Sequence, residues 1–184
     1  MIRLTVTDIM NLVDFKDYLY LLKASGNDTD GLIFCFGTSL ISRLIQARTK
    51  QNSSEVVPSH VALKIGDFLY ESTSQPEKVG KKTIPAGVRR YYLSDFFLAE
   101  SSKQTEYAFL PCKVHKYVAE DYIHYPYGKD IILDYVLRDG SDGSKTGLIC
   151  SQYGNRVTRL IPEKDVVTPA ELYRKAVQIS KGTE

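Results

Sequence analysis

The sequence predicts an α+β fold, and three observations carry that expectation. Helical periodicities occupy both ends of the chain, β-type runs fill its middle, and no segment repeats. The composition agrees, because 184 residues with 43% hydrophobic and 25% charged content suit one domain with a real core.

Residues 8–24 place Ile9, Leu12, Val13, Leu19 and Leu22 on one helical stripe, with Thr7 or Asp8 as cap. "SGNDTDG" ends that pattern, and "LIFCF" reads as a short buried strand. "TSLISRLIQARTK" follows as an amphipathic helix, with Leu40, Ile41, Leu44 and Ile45 expected inward and Arg43 and Arg48 outward or on a cleft rim. "SHVALKIGDFLYEST" is the clearest β signal: two runs flank Gly66-Asp67, a plausible hairpin turn. Residues 76–90, rich in Pro, Gly and Lys, read as a loop, and "RRYYLSDFF" and "EYAFLPCKV" as further β segments. "HKYVAEDYIHY" and "KDIILDYVLRD" are helical, separated by "PYG". "DGSDGSKTG" is a polar connection whose acidic spacing lacks the closing glutamate of a calcium loop. The last helix carries its own start signal, with Thr168 as cap, Pro169 at the first position and Glu171 completing a capping box.

A net charge of +2 argues against a nucleic-acid partner. No run reaches membrane-spanning length and no signal peptide is read, so a cytoplasmic protein without stable membrane insertion is expected. Cys35, Cys112 and Cys150 are too few and too dispersed for a disulfide framework or a zinc site, and no cofactor is called for. Cys35 and Cys112 lie in strand-like apolar runs and are expected to be buried and inert. Cys150 differs, because it opens a helix carrying Tyr153, Val157, Leu160 and Ile161, with Thr146 or Gly147 able to cap the start. Unpaired backbone N–H groups and the positive dipole end there favour a thiolate. Gly154, on the same face, costs helix stability and is expected where another backbone comes close.

A nucleophilic cysteine needs a base, and the base an orienting group. Of three histidines, His115 and His124 fall in a polar helical region, whereas His60 opens the hairpin. With Gly66-Asp67 as the turn, Ile65 faces Phe68, Leu63 faces Tyr70, Ala62 faces Glu71 and His60 faces Thr73. His60, Ala62, Glu71 and Thr73 then share one side, away from the apolar face of Val61, Leu63, Ile65, Phe68 and Tyr70. His60 and Glu71 become diagonal neighbours, and the carboxylate can hold the imidazole's tautomer. A one-residue slip would separate them.

The runs "SLISRLIQARTK…SHVAL", "PSHVALKIGDFLYES", "YPYGKD…LICSQYGNRV" and "TPAEL" resemble the circularly permuted papain-like hydrolases of the NlpC superfamily, the YiiX-like group. The likeness spans residues 31–172, leaving residues 1–30 as an N-terminal helical extension to a single domain over 1–184. It implies a small antiparallel sheet packed against helices including the cysteine-bearing one, with the histidine strand preceding that helix. It carries the nucleophile onto Cys150, the base onto His60, the orienting residue onto Glu71 and the preceding tyrosine onto Tyr127, with Tyr125 as the other register. Gln152 departs from the glutamate or glycine of many relatives, and the loop 138–147 is long and polar. With the hairpin over this face, Gly154 would let His60 approach the sulfur.

The function so implied is a cysteine hydrolase, an amidase or peptidase, working through a Cys-His-Glu triad and an acyl-enzyme on a peptide, amide or acyl substrate. The Cys150 N–H and the Tyr127 hydroxyl would serve the oxyanion. An acyltransferase or thioesterase, or a binding protein on the same fold, are the alternatives. Lys78, Lys81, Lys82, Arg89 and Arg90 on loop 76–90 are candidates to favour an acidic substrate.

Overall fold

The computed structural model describes residues 3–4, 30–79, 82–93, 95, 106–129 and 147–182. The helical pattern at 8–24, all but the first residue of that at 129–139, and the loop 138–147 up to its last residue lie outside the described residues.

The strands are β1 (Arg3–Leu4), β2 (Gly31–Phe36), β3 (His60–Ile65), β4 (Phe68–Thr73), β5 (Glu77–Val79), β6 (Lys82–Ile84), β7 (Gly87–Tyr92) and β8 (Glu106–Pro111). The described helices are α1 (Leu40–Thr49), α2 (Lys116–Asp121), α3 (Cys150–Thr158) and α4 (Pro169–Ser180). Six strands form one antiparallel sheet in the order β1-β8-β2-β3-β4-β7, and β5 and β6 make a separate hairpin. The architecture is mixed α/β, with helices packed on a small antiparallel sheet. Among the described residues no helix is long and apolar enough to cross a membrane.

The hairpin register matches the expectation near the turn, where Ile65 pairs with Phe68 and Leu63 with Tyr70 around Gly66 at φ 57°, but the expected Ala62–Glu71 and His60–Thr73 pairs are not part of the ladder. Each apolar alternation finds a partner layer. On one face Leu32, Phe34, Val61, Leu63 and Tyr70 pack with Tyr153 and Val157 of α3 and Leu172 of α4. The other face, expected to lie away from the packing, is also buried, because Ala62 and Leu69 meet Ile33, Cys35, Leu93 and Tyr107. Neighbouring strands supply Ile33, Cys35 and Tyr107, and Leu93 follows β7, none of which hairpin geometry alone reveals.

Two further expectations need correcting. The segment 76–90 is not one loop: β5 and β6 pair, and Gly87–Tyr92 joins the sheet beside β4. Pro76 and Pro85 mark connections, Gly87 opens β7, and Val88 enters the core. Helix α1 forms where expected, capped by Ser39 through its side-chain bond to the Ser42 N–H, but its apolar stripe does not face inward. Leu40, Ile41 and Leu44 are exposed. Polar groups anchor the helix instead: Gln46 donates to the Gly37 carbonyl and Arg174 to the Thr49 carbonyl. Helix α4 starts as the sequence dictates, with reciprocal Thr168–Glu171 bonds and Pro169 in its first turn.

Candidate active site

The β3–β4 ladder pairs Leu63 through Ile65 with their partners and goes no further toward His60. Beyond it β4 keeps its pairing with β7, at Glu71–Arg89, Ser72–Val88 and Thr73–Gly87. The start of α3 enters this fork from the β4 and β3 sides at once. The Ser72 hydroxyl donates to the Leu148 carbonyl at 2.6 Å, and the Val61 N–H donates to the Cys150 sulfur. Tyr127 forms a parallel bridge with Leu148, while Gly147, at φ 111°, turns the chain into the helix.

Cys150 is the first residue of α3. Gly147 does not cap the helix, because the N-cap is Ile149, which has no polar side chain, and Thr146 lies outside the described residues. Gln152 compensates by accepting from the Ile149 N–H through Oε1 while its Nε2 donates to the Asp165 carbonyl. The buried Ser151 hydroxyl donates to the Val167 carbonyl. These bonds fix the first turn, and with it the sulfur, from within.

His60 Nε2 lies 2.6 Å from Glu71 Oε2, with the His60 side chain 29% exposed and Glu71 nearly buried. The ring also hydrogen-bonds the Cys150 thiol, and with Nε2 engaged by Glu71 that bond falls to Nδ1. The fork resolves how the two meet. His60 begins β3 and Cys150 begins α3, so both stand where the strands part.

The electrostatics follow from that contact. Burial pushes the Cys150 thiol up, but the neighbouring His60 charge, the His60 hydrogen bond and the Val61 N–H hold it below its ordinary value. For His60, burial acts to lower the imidazole, yet Cys150 and then Glu71 raise it well above its usual range. Both shifts favour thiolate and imidazolium over the neutral pair. The Tyr127 phenol is raised by burial first and by the nearby Cys150 and Glu71 charges next, so it stays a protonated donor. Cys112 contrasts with Cys150: burial raises its thiol to about 11. Cys35 is buried and Cys112 only half-buried.

Gly154 does not admit His60. A Cβ there would lie 3.2 Å from Leu172 Cδ2, 3.5 Å from Leu32 Cδ2 and 3.6 Å from Val61 Cγ1, so the glycine lets α3 settle onto the sheet. Of the cations assigned to an acidic substrate, the two described arginines do not line the cleft. Arg89 is buried, donating to the Ile84 and Pro85 carbonyls, Tyr91 and Glu77. Arg90 pairs with Glu120 and lies over Phe68. Lys81 and the side chains of Lys78 and Lys82 lie outside the described residues.

A cleft of about 190 Å³ opens on the sulfur. His60, Tyr127, Cys150 and Thr168 line it together with serines 39, 42, 59 and 74, Gln75 and an aliphatic wall that includes Ile41 and Ile45. Tyr125, the other register for the tyrosine, does not line it. Among the described residues no group of His, Cys, Asp and Glu is arranged to hold a metal ion. The sequence did not single out Val61 or Ser72 for the site, and it marked Gln152 only as a departure from the relatives. Only Gln152, three residues after the helix N-cap, carried a recognisable signal.

No family model, curated protein or solved structure matches the chain.

Proposed function

We propose that this chain is a cysteine-dependent acyl hydrolase on a permuted papain-like fold, with Cys150 as nucleophile, His60 as base and Glu71 as the residue that orients it. One observation carries the reading: a thiol at the start of a helix is hydrogen-bonded to an imidazole whose far nitrogen sits 2.6 Å from a carboxylate. The chain order His60, Glu71, Cys150 fits the permuted arrangement.

In the reaction the Cys150 thiolate attacks the substrate carbonyl carbon and an S–C bond forms. The oxyanion accepts from the Cys150 N–H at the helix start and from the Tyr127 hydroxyl. The bond to the leaving group then breaks, and the departing amine, alcohol or thiol takes the proton from His60 Nδ1. Water next attacks the thioester while giving a proton to the neutral imidazole. Expulsion of the thiolate releases the acid and restores the ion pair.

Incubation with p-nitrophenyl acetate followed by intact-mass analysis tests the assignment. An acetyl adduct on Cys150 that hydroxylamine removes, and that is lost in His60→Ala, is the expected result. A Cys150 that stays unacylated in the folded wild type contradicts it.

A further inference from the structure

The apolar stripe of α1 is exposed where an amphipathic helix ordinarily buries it: Leu40 is 74%, Ile41 62% and Leu44 47% exposed. Ile41 also lines the cleft that opens on Cys150, one turn from Ile45, which lines it too. Residues three and four apart are neighbours on a helix surface, so Ile45, Ile41, Leu44 and Leu40 form one continuous track from the sulfur outward. The lining also includes Ile149, Val166 and Pro169.

The rest of the lining narrows the ligand class. Apart from His60 and the cysteine, the described residues that line the cleft present hydroxyls and one amide but no lysine, arginine, aspartate or glutamate. Among these described residues only His60 offers a charge to a substrate group. The sheet edge β7 is engaged at Val88, whose N–H donates to the Tyr125 carbonyl and whose carbonyl accepts from the His124 N–H. An extended peptide therefore cannot pair with β7 at Val88.

Building on the catalytic reading above, we infer that the acyl group delivered to Cys150 carries an aliphatic chain, which lies along Ile45 and Ile41 and leaves the cleft over Leu44 and Leu40. The size fits. An apolar cavity of about 150 Å³ holds a benzene-sized molecule, so this cleft accepts about six carbons before the chain reaches the exposed part of the track.

The test compares alkylation of Cys150 by iodoacetamide and by N-octyl iodoacetamide, read by peptide mass spectrometry. In both reactions the sulfur–carbon bond forms as iodide leaves, so turnover is not required. The octyl reagent is expected to react about tenfold faster or more, as several methylenes leave water. Ile41→Asp, a change at an exposed position, should return the ratio of the two rates toward one. Tyr117→Asp, on exposed α2, should leave the ratio as in wild type. Equal rates for the two reagents in wild type overturn the chain assignment, as does an octyl preference that Ile41→Asp leaves intact. The pH profile with the parent reagent reports separately on the Cys–His pair. A thiol activated at low pH without an octyl preference removes the aliphatic substrate and keeps the catalysis. An octyl preference at an unactivated thiol removes the catalysis and keeps the apolar track.

Discussion

Cys150 lies in a setting that opposes ionisation by burial and favours it by contact, and contact prevails because three donors or charges converge on the sulfur. His60 is raised by the same partnership and then by Glu71. Glu71→Gln keeps an oxygen near the ring but removes the charge. The His60 ring resonances should therefore titrate at lower pH in that variant when followed by NMR, and an unmoved midpoint would contradict the orienting role. Arg89 belongs to the same lesson. It faces Glu71 across the β4–β7 ladder, yet its guanidinium is spent on the carbonyls of Ile84 and Pro85 rather than on a ligand. Arg89→Met, which removes a buried charged donor from those two carbonyls, should lower stability by about 1–3 kcal/mol in urea unfolding. A change within error would show that water replaces the lost donors.

Helix α3 holds the sulfur in place only because it sits close to the sheet. Gly154→Val would press into Leu172, Leu32 and Val61 from a position already 3.2 Å from the first of them. A cost of about 1–3 kcal/mol is expected in denaturant unfolding, and an undiminished midpoint would show that the core yields freely. Helix α4 answers to local rules, so Thr168→Ala should cost about 1 kcal/mol through the lost cap, measured the same way. These two helices mark what the sequence discloses at this scale. The α4 start was legible because every partner in its capping box lies within three residues. The β3–β4 register was legible because a two-residue turn dictates it, and the His60–Glu71 pairing came with it. The exposed face of α1 was not legible. Periodicity shows that an apolar stripe exists, but what it meets depends on elements far away in the chain. The Val61 N–H was hidden likewise, since its freedom depends on where two strands part.

Across the whole molecule the site exists only when the N-terminal half of the described sheet meets a helix from the far end of the chain. The thiolate–imidazolium pair is thus tied to folding, and its pH dependence can be given a sign. Cys150 is lowered on folding, so its contribution is present above the ordinary thiol value and is lost as pH falls through the folded value. His60 is raised, so its contribution is present below the ordinary imidazole value and is lost as pH rises through the folded value. The two together are greatest between about 6.5 and about 8.5, the unperturbed imidazole and thiol values. The Tm difference between wild type and Cys150→Ser should therefore contain a component that peaks in that window and shrinks on either side. A difference independent of pH would mean that the pair is neutral. The most direct test of the whole account is the rate of Cys150 alkylation by iodoacetamide as a function of pH, in wild type and in His60→Ala. The account predicts an inflection well below about 8.5 in wild type that moves up in the variant. A Cys150 that titrates as an ordinary thiol in both proteins would contradict it.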